Sequence, residues 1–403
     1  MFKINDKNRI IYAIIFAFLL SVPLFVKNLY YMHILIVTGI WVILVISKHL
    51  ILFTGIFSLG HAAFMGIGAY SSAILMMKLG WPFWVAFPLS GIVAALVSVI
   101  LCSVFLRVKG LLFAVITIAF AETTRLVFTH WPGLGGAEGL TGIPAPTPIP
   151  LPWGTSISFA GKIPHYYLVL ITAALAILFV GRIEKSRLGR MFSAIEENEQ
   201  LVESIGVHVK GYRLLSMTIA GLLAGLAGSL YGHYHSYIAP DEFAVWTSVM
   251  IFLLCVIGGM KSLVGPVIGA IFLTFLPEIF REAKAYEPLI FAVVVLASLL
   301  FFTDVFVGQA ITYVSDSSIQ EGVAGIFLEA ESSINPEGIM TIPVHAHLPA
   351  GKESTVVKFT LTYPSEKMKV TNCAGLYASL DEIFIVGNND FSVVKNPDPC
   401  SSP

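Results

Sequence analysis

From about residue 10 to residue 306 the chain is a succession of apolar runs, most of them long enough to cross a lipid bilayer. A hydrocarbon layer of about 30 Å takes roughly 20 apolar residues of helix, and inside it every backbone N–H and C=O must be satisfied within the protein. Unbroken hydrophobicity over such lengths therefore selects α-helices. The runs read as spans at about 10–27, 30–50, 55–78, 82–106, 109–129, 165–181, 213–235, 245–260, 262–280 and 288–306. Charged residues are 12% of the chain, half of the roughly 25% typical of soluble domains, which excludes that class. A formal net charge of −1 leaves no basic footprint for nucleic acid.

The first run follows a basic start, MFKINDKNR, as in a signal peptide. No small-x-small cleavage site closes it, so it reads as an uncleaved first helix. Lysine and arginine in the short loops favour a cytoplasmic N-terminus, with Lys48, Arg107, Lys109 and the 182–212 loop on the same side. The opposite side receives His130 to Pro164, a Gly- and Pro-rich segment with one lysine and no arginine that reads as a structured outer loop. After about Ser315 the chain turns polar, with β-branched alternation at Met340–His347, Val356–Tyr363 and Glu382–Val386. The expected organisation is an all-α polytopic membrane protein of about ten transmembrane helices, residues 1–314, with a small C-terminal β-rich domain, residues 315–403. An even number of spans puts that tail in the cytoplasm. An odd number puts it outside, where Cys373 and Cys400 could pair. Cys102 and Cys255 lie in apolar runs and no CxxC occurs, so neither a zinc site nor a redox motif is indicated.

One charged stretch stands between two apolar runs, Gly181 to Arg213. Met191, Ile195, Val202 and Ile205 fall near one helical face, with Glu196, Glu197, Glu199 and Glu203 largely off it. A short amphipathic helix between spans gives a soluble motor something to grip. Ala194 is small at its centre, Glu197 and Glu199 offer charge to a partner, and Gly206 permits a left-handed helix exit. The plainer reading is a solvated loop whose charges only set topology.

Within the spans, His61 is a costly residue that should face a cavity or a partner. Around it, Ser58, Gly60, Gly66 and Gly68 suit either close helix packing or a broken helix end lining a pathway, where the helix dipole favours a carboxylate. Glu122 and Arg125, three apart near the outer end of the fifth span, can pair as an outer gate or as a structural couple. Gly221, Gly225, Gly228 and Gly232 mark one smooth face for helix packing, within the chain or against a partner. His130, His165, His233 and His235 are scattered over outer ends and define no metal site. Neither a GxxxxGK[ST] phosphate loop nor a GxSxG elbow occurs, so the chain reads as a non-enzyme with no cofactor.

Three stretches, FTGIFSLGHAAFMGIGAYSSAIL (Phe53–Leu75), TIAFAETTRLVFTHWPGLGGAEGLTGIP (Thr117–Pro144) and SRLGRMFSAIEENEQLVESIGV, resemble the M-type permease subunits of branched-chain amino-acid ABC importers. GGMKSLVGPVIGA (Gly258–Ala270) and LPEIFRE (Leu276–Glu282) are similar too, so the likeness runs from about residue 10 to 306. It implies a prokaryotic inner-membrane permease for leucine, isoleucine or valine. It also implies partners: a second related permease, two cytoplasmic ATPase subunits that use ATP and Mg²⁺, and an extracytoplasmic binding protein. In that family the 194–206 segment is the coupling element. The chain departs from the pattern in its long tail and in Lys261, where a glycine is common. Urea and short amides are alternative cargoes of similar permeases. An ion-coupled secondary transporter is the competing class, with Glu122 as its one acidic candidate in the spans.

Overall fold

The computed structural model describes residues 17–26, 28–105, 108, 110–150, 156–259 and 262–279, with strand residues between 326 and 384. Contacts divide the chain into two units, Met1–Phe302 and Thr303–Pro403.

The first unit is helical. A helix over residues 17–25 (α1) precedes α2 (Leu29–Leu52), α3 (His61–Met77), α4 (Phe83–Phe105), α5 (Leu111–His130) and α6 (Lys162–Glu184). Then come α7 (Arg187–Glu197), α8 (Glu199–Ser204), α9 (Val209–His235), α10 (Val245–Gly258) and α11 (Val264–Ile279). Five of these, α2, α4, α5, α6 and α9, are long and apolar enough to cross a membrane. The 17 residues of α3 and 14 of α10 rise only about 26 and 21 Å. Two expected spans are therefore shorter than the sequence suggested. The run from 55 to 78 becomes helical only at His61, because residues 56–60 carry no regular structure and Gly55 turns the chain at φ 70°. The run from 245 to 260 stops at Gly258, where the backbones of Gly258 and Gly265 touch with no room for a Cβ on either. The expected 288–306 span and residues 260–261 lie outside the described residues.

Asn28 starts α2, its Oδ1 accepting from the Tyr30 N–H at 2.9 Å. This helix is the hub: α6, α9, α10 and α11 surround it, and every residue from Val42 to Ile51 is buried. At one end of the bundle His33 of α2 bonds Tyr234 of α9 at 2.6 Å. At the other, His49 meets Glu184 of α6 at 2.6 Å and the Ser216 hydroxyl of α9 donates to Leu50 O at 3.2 Å. Helices α2 and α6 thus run parallel, with α9 antiparallel to both.

Helices α3 and α4 close against α9 along its glycines. A Cβ on Gly228 would strike the Met65 carbonyl, one on Gly225 would lie 2.6 Å from Ala94 Cβ, and one on Gly221 2.8 Å from Ser98 Cβ. At Gly221, Gly225 and Gly228 this smooth face is occupied by the chain's own α3 and α4, while Gly232 lies nearest Ile238 and Ile143. The outward sides of α4 (Ile92, Leu96, Ile100) and α6 (Ile171, Leu175, Leu178) are exposed and aliphatic, as acyl chains require.

Residues 131–150 and 156–161 lie at the His33 end. Short 3-10 turns at Pro132–Leu134 and Gly136–Glu138 lead into β1 (Leu140–Thr141), which pairs antiparallel with β4 (Tyr237–Ile238) just beyond α9. A second pair joins β2 (Ile149–Pro150) to β3 (Ser156–Ile157). In the second unit the described residues are the strands β5 (Ile326–Leu328), β6 (Ser333–Ile334), β7 (Ile339–Ala346), β8 (Val356–Thr362), β9 (Tyr377–Ser379) and β10 (Glu382–Phe384). Strand β7 pairs antiparallel with β5, β6 and β8, and β9 with β10.

Candidate functional site

The charged segment between α6 and α9 is two helices rather than one. Ser186 caps α7, its Oγ accepting from Leu188 N at 3.1 Å. Asn198, extended at φ −156°, ends α7 and starts α8, with Oδ1 accepting from Leu201 N at 2.9 Å. A side chain that bonds its own local backbone competes with helix continuation, so the expected 194–206 helix breaks there. Ile195, Val202 and Val209 form a small core with Met191 and Ala194, bracing both helices on the first turn of α9. Glu197 is exposed and Gly206 exits at φ 83°. Glu199 instead bonds Arg213 of α9 at 2.9 Å, so its carboxylate is engaged within the chain. Ile205, expected on the apolar face, is 71% exposed, and Leu201 is 63% exposed. The α8 end of the segment thus leaves two apolar side chains to solvent, with Glu197 exposed at the end of α7. Periodicity alone missed Leu201, because the phase resets at Asn198; the Asn itself, a cap former, was the available signal.

Inside the bundle, the linker between α2 and α3 is tied on several sides. Lys48, wholly buried on the last turns of α2, donates from Nζ to the Ser58 carbonyl and lies 5.7 Å from the Phe252 ring centroid. A cation near a helix C-terminus also meets the negative end of its dipole. Ser47 bonds His61 at 2.6 Å, Leu59 N donates to Thr117 Oγ1 of α5 at 2.9 Å, and Ala62 N donates to Ser248 Oγ of α10 at 2.9 Å. Gly60 sits where a Cβ would be 2.6 Å from Thr117 O, while Gly66 lies under Phe128 and Phe243. Gly68 abuts the Gly225 backbone. The predicted motif residues Ser58, Gly60, His61, Gly66 and Gly68 therefore sit in packed interior, with His61 fully buried. Sequence inspection passed over Lys48, reading it as a loop charge.

Towards the loop end of α5, Arg125 donates from Nε to Glu122 Oε1 at 3.0 Å and from Nη1 to Asp241 Oδ1 at 3.0 Å. The Asp241 side chain is 89% exposed and that of Glu122 40%. Glu122 and Arg125 lie on α5 and Asp241 joins them from the turn at Pro240–Phe243, so a partly exposed charged cluster stands beside a long apolar helix, unlike the aliphatic faces of α4 and α6. Beside it Thr123, Leu126, Val127, His130, Trp131 and Pro132 line an open groove of about 430 Å³. Glu242 follows Asp241, outside the spans; burial raises its carboxyl above the ordinary range, against the pull of the Ala239 N–H, 3.3 Å away, and of Tyr231. His233 is held by Ser72 at 2.5 Å and by Pro144 O at 2.7 Å. Among the described residues no group of three or more His, Cys, Asp or Glu is arranged to hold a metal.

Comparison with known proteins bears on this geometry. The family model described as the permease component of the branched-chain amino acid transport system matches residues 30–303. The high-affinity branched-chain amino acid transport system permease protein LivM of Escherichia coli K12 is 29% identical over 271 residues, 62% of this chain and 64% of that protein. The probable LivM of Methanocaldococcus jannaschii is 27% identical over 198 residues, 46% of this chain and 55% of that protein. The autoinducer 2 import system permease protein LsrC of Escherichia coli O9:H4 is 26% identical over 186 residues, 44% of this chain and 51% of that protein. The chain thus spans less than two thirds of the length of these curated relatives. No solved structure matches it. With a match that runs from α2 through α11, the chain belongs to the family of branched-chain amino acid transport system permease components.

Proposed function

We propose that this chain is a membrane permease subunit of an ATP-binding-cassette importer that carries leucine, isoleucine and valine inward by alternating access. Two ATPase subunits use the ATP and Mg²⁺, a second related permease completes the path, and an extracytoplasmic binding protein delivers cargo. The α7–α8 end then faces the cytoplasm of a prokaryotic cell, as does the N-terminus, and the 131–161 loop faces out. About ten transmembrane helices make up the permease, with the β-rich tail as an accessory.

The observation that carries this reading is the α7–α8 tip. Its inner side is braced on α9 through Ile195, Val202 and Val209, yet Leu201 and Ile205 are left to solvent. Exposed apolar side chains on a polar loop are what a docking protein covers. Packed helices move as units, so a push on the tip reaches α6 and α9. The Glu122–Arg125–Asp241 trio supports the second permease, since ionised groups in spans turn to protein or water rather than lipid. The test is uptake of labelled leucine into vesicles holding the assembled subunits, with and without internal ATP. ATP-dependent uptake that needs the binding protein is expected. Accumulation of urea or autoinducer 2 in its place would change the cargo, and uptake driven by a proton gradient without ATP would overturn the reading.

A further inference from the structure

The outer side of the α7–α8 segment is a docking tip, but its inner side bears on something as well. Gly55, at φ 70°, lies so close to α7 that a Cβ there would be 3.2 Å from Glu196 Cα. A left-handed backbone and a helix backbone against it leave this position to glycine. Gly55 opens the irregular stretch between α2 and α3; that stretch is hydrogen-bonded to α9, α2 and α5, and the first turn of α3 that follows it is bonded to α10. Thr54 Oγ1 bonds Ser216 Oγ of α9 at 2.8 Å. Ser58 O receives Lys48 Nζ of α2, Leu59 N reaches Thr117 of α5, and Ala62 N reaches Ser248 of α10.

We propose that residues 54–60 are a transmission strap: α7 bears on Gly55, and the strap passes its displacement directly to α5 through Thr117 and, by way of Ala62 in the first turn of α3, to α10 through Ser248. Gly55 and Lys48 are positioning residues in this scheme. Gly55 admits the α7 backbone, and Lys48 holds the Ser58 carbonyl so that the strap moves as a body instead of flexing. The scheme rests on the importer reading and names the route within this chain by which the ATPase-facing loop acts on the span carrying Glu122 and Arg125.

The assay is cargo taken up per ATP hydrolysed by the assembled importer in proteoliposomes. Gly55→Val places side-chain atoms against Glu196 and should lower that ratio by about tenfold, within the usual span of coupling free energies, while hydrolysis continues. Gly80→Val is the control, since Gly80 has φ 66° with nothing within 4 Å of its ideal Cβ, and it should keep the wild-type ratio. Lys48→Met should lower the ratio as Gly55→Val does. An unchanged ratio in Gly55→Val, or an equal loss in Gly80→Val, overturns the strap. Should Gly55→Val fail to accumulate, hydrogen exchange of the 54–60 amides in the wild-type complex decides, with a nucleotide-dependent change expected and identical exchange in both states overturning it. A wild-type complex with no ATP-driven uptake would instead sink the importer reading beneath it.

Discussion

On the importer reading, removing the apolar tip of the α7–α8 segment should weaken ATPase docking by an amount that follows from its exposure. Full burial of a leucine or isoleucine side chain is worth about 1.5–3 kcal/mol. Leu201 is 63% and Ile205 71% exposed, so a partner that covers both gains about 1–2 kcal/mol from each. Alanine keeps only the first carbon of each side chain, so Leu201→Ala with Ile205→Ala should forfeit about 2 kcal/mol, roughly a 30-fold rise in Kd. The measurement is titration of purified ATPase subunits onto the permease pair in nanodiscs. Leu96→Ala with Ile100→Ala, on the aliphatic outer side of α4, is the matched control and should leave Kd unchanged. A double tip variant that folds and binds with wild-type affinity, or a control that loses as much, would refute the reasoning.

Gly228→Ala places a methyl against the Met65 carbonyl, and should cost about 1–3 kcal/mol of overpacking, seen as a lower thermal midpoint in detergent. Gly211→Ala, with open space around the site, should show no such loss. Burial raises the Glu242 carboxyl above its ordinary value, so the folded protein holds the proton more tightly than the unfolded chain. The resulting stability is present below the ordinary value and declines as pH rises through the raised one. Thermal midpoints measured from about pH 4 to 8 should therefore show less of this decline in Glu242→Gln than in the wild type. Truncation at Ser315 should leave ATP-dependent uptake intact if the tail is an accessory; loss of uptake with normal insertion would make the tail part of the machine.

Much of the helical bundle was legible because hydrophobicity over 20 residues has few structural outcomes. Spans expected at 30–50, 82–106, 109–129 and 213–235 correspond to α2, α4, α5 and α9. What composition could not show was where an apolar stretch stops being helical. Residues 56–60, IFSLG, are as hydrophobic as their neighbours, and only their hydrogen bonds to other helices reveal an irregular strap. Asn198 broke the amphipathic segment for a local reason, a side chain that caps, which a period of 3.6 averages away. Pairing of Glu122 with Arg125 was readable from spacing, but the third member, Asp241, is distant in sequence and arrives only through the fold. The partial exposure of that trio is likewise a tertiary fact.

The glycine contacts also divide the bundle mechanically. Helices α3, α4 and α9 meet backbone to backbone at Gly68, Gly225 and Gly228, and surfaces with so little side chain between them have no alternative rotamers with which to slide. They form a slab that is rigid on the scale of a methyl group. Helix α5 is held differently, through larger side chains such as Phe113, Thr117 and Phe128, which can exchange neighbours by shear. On the importer reading, a push that reaches α9 carries α3 and α4 with it as one body, and relative movement falls at the edge of the slab, where α5 packs through side chains.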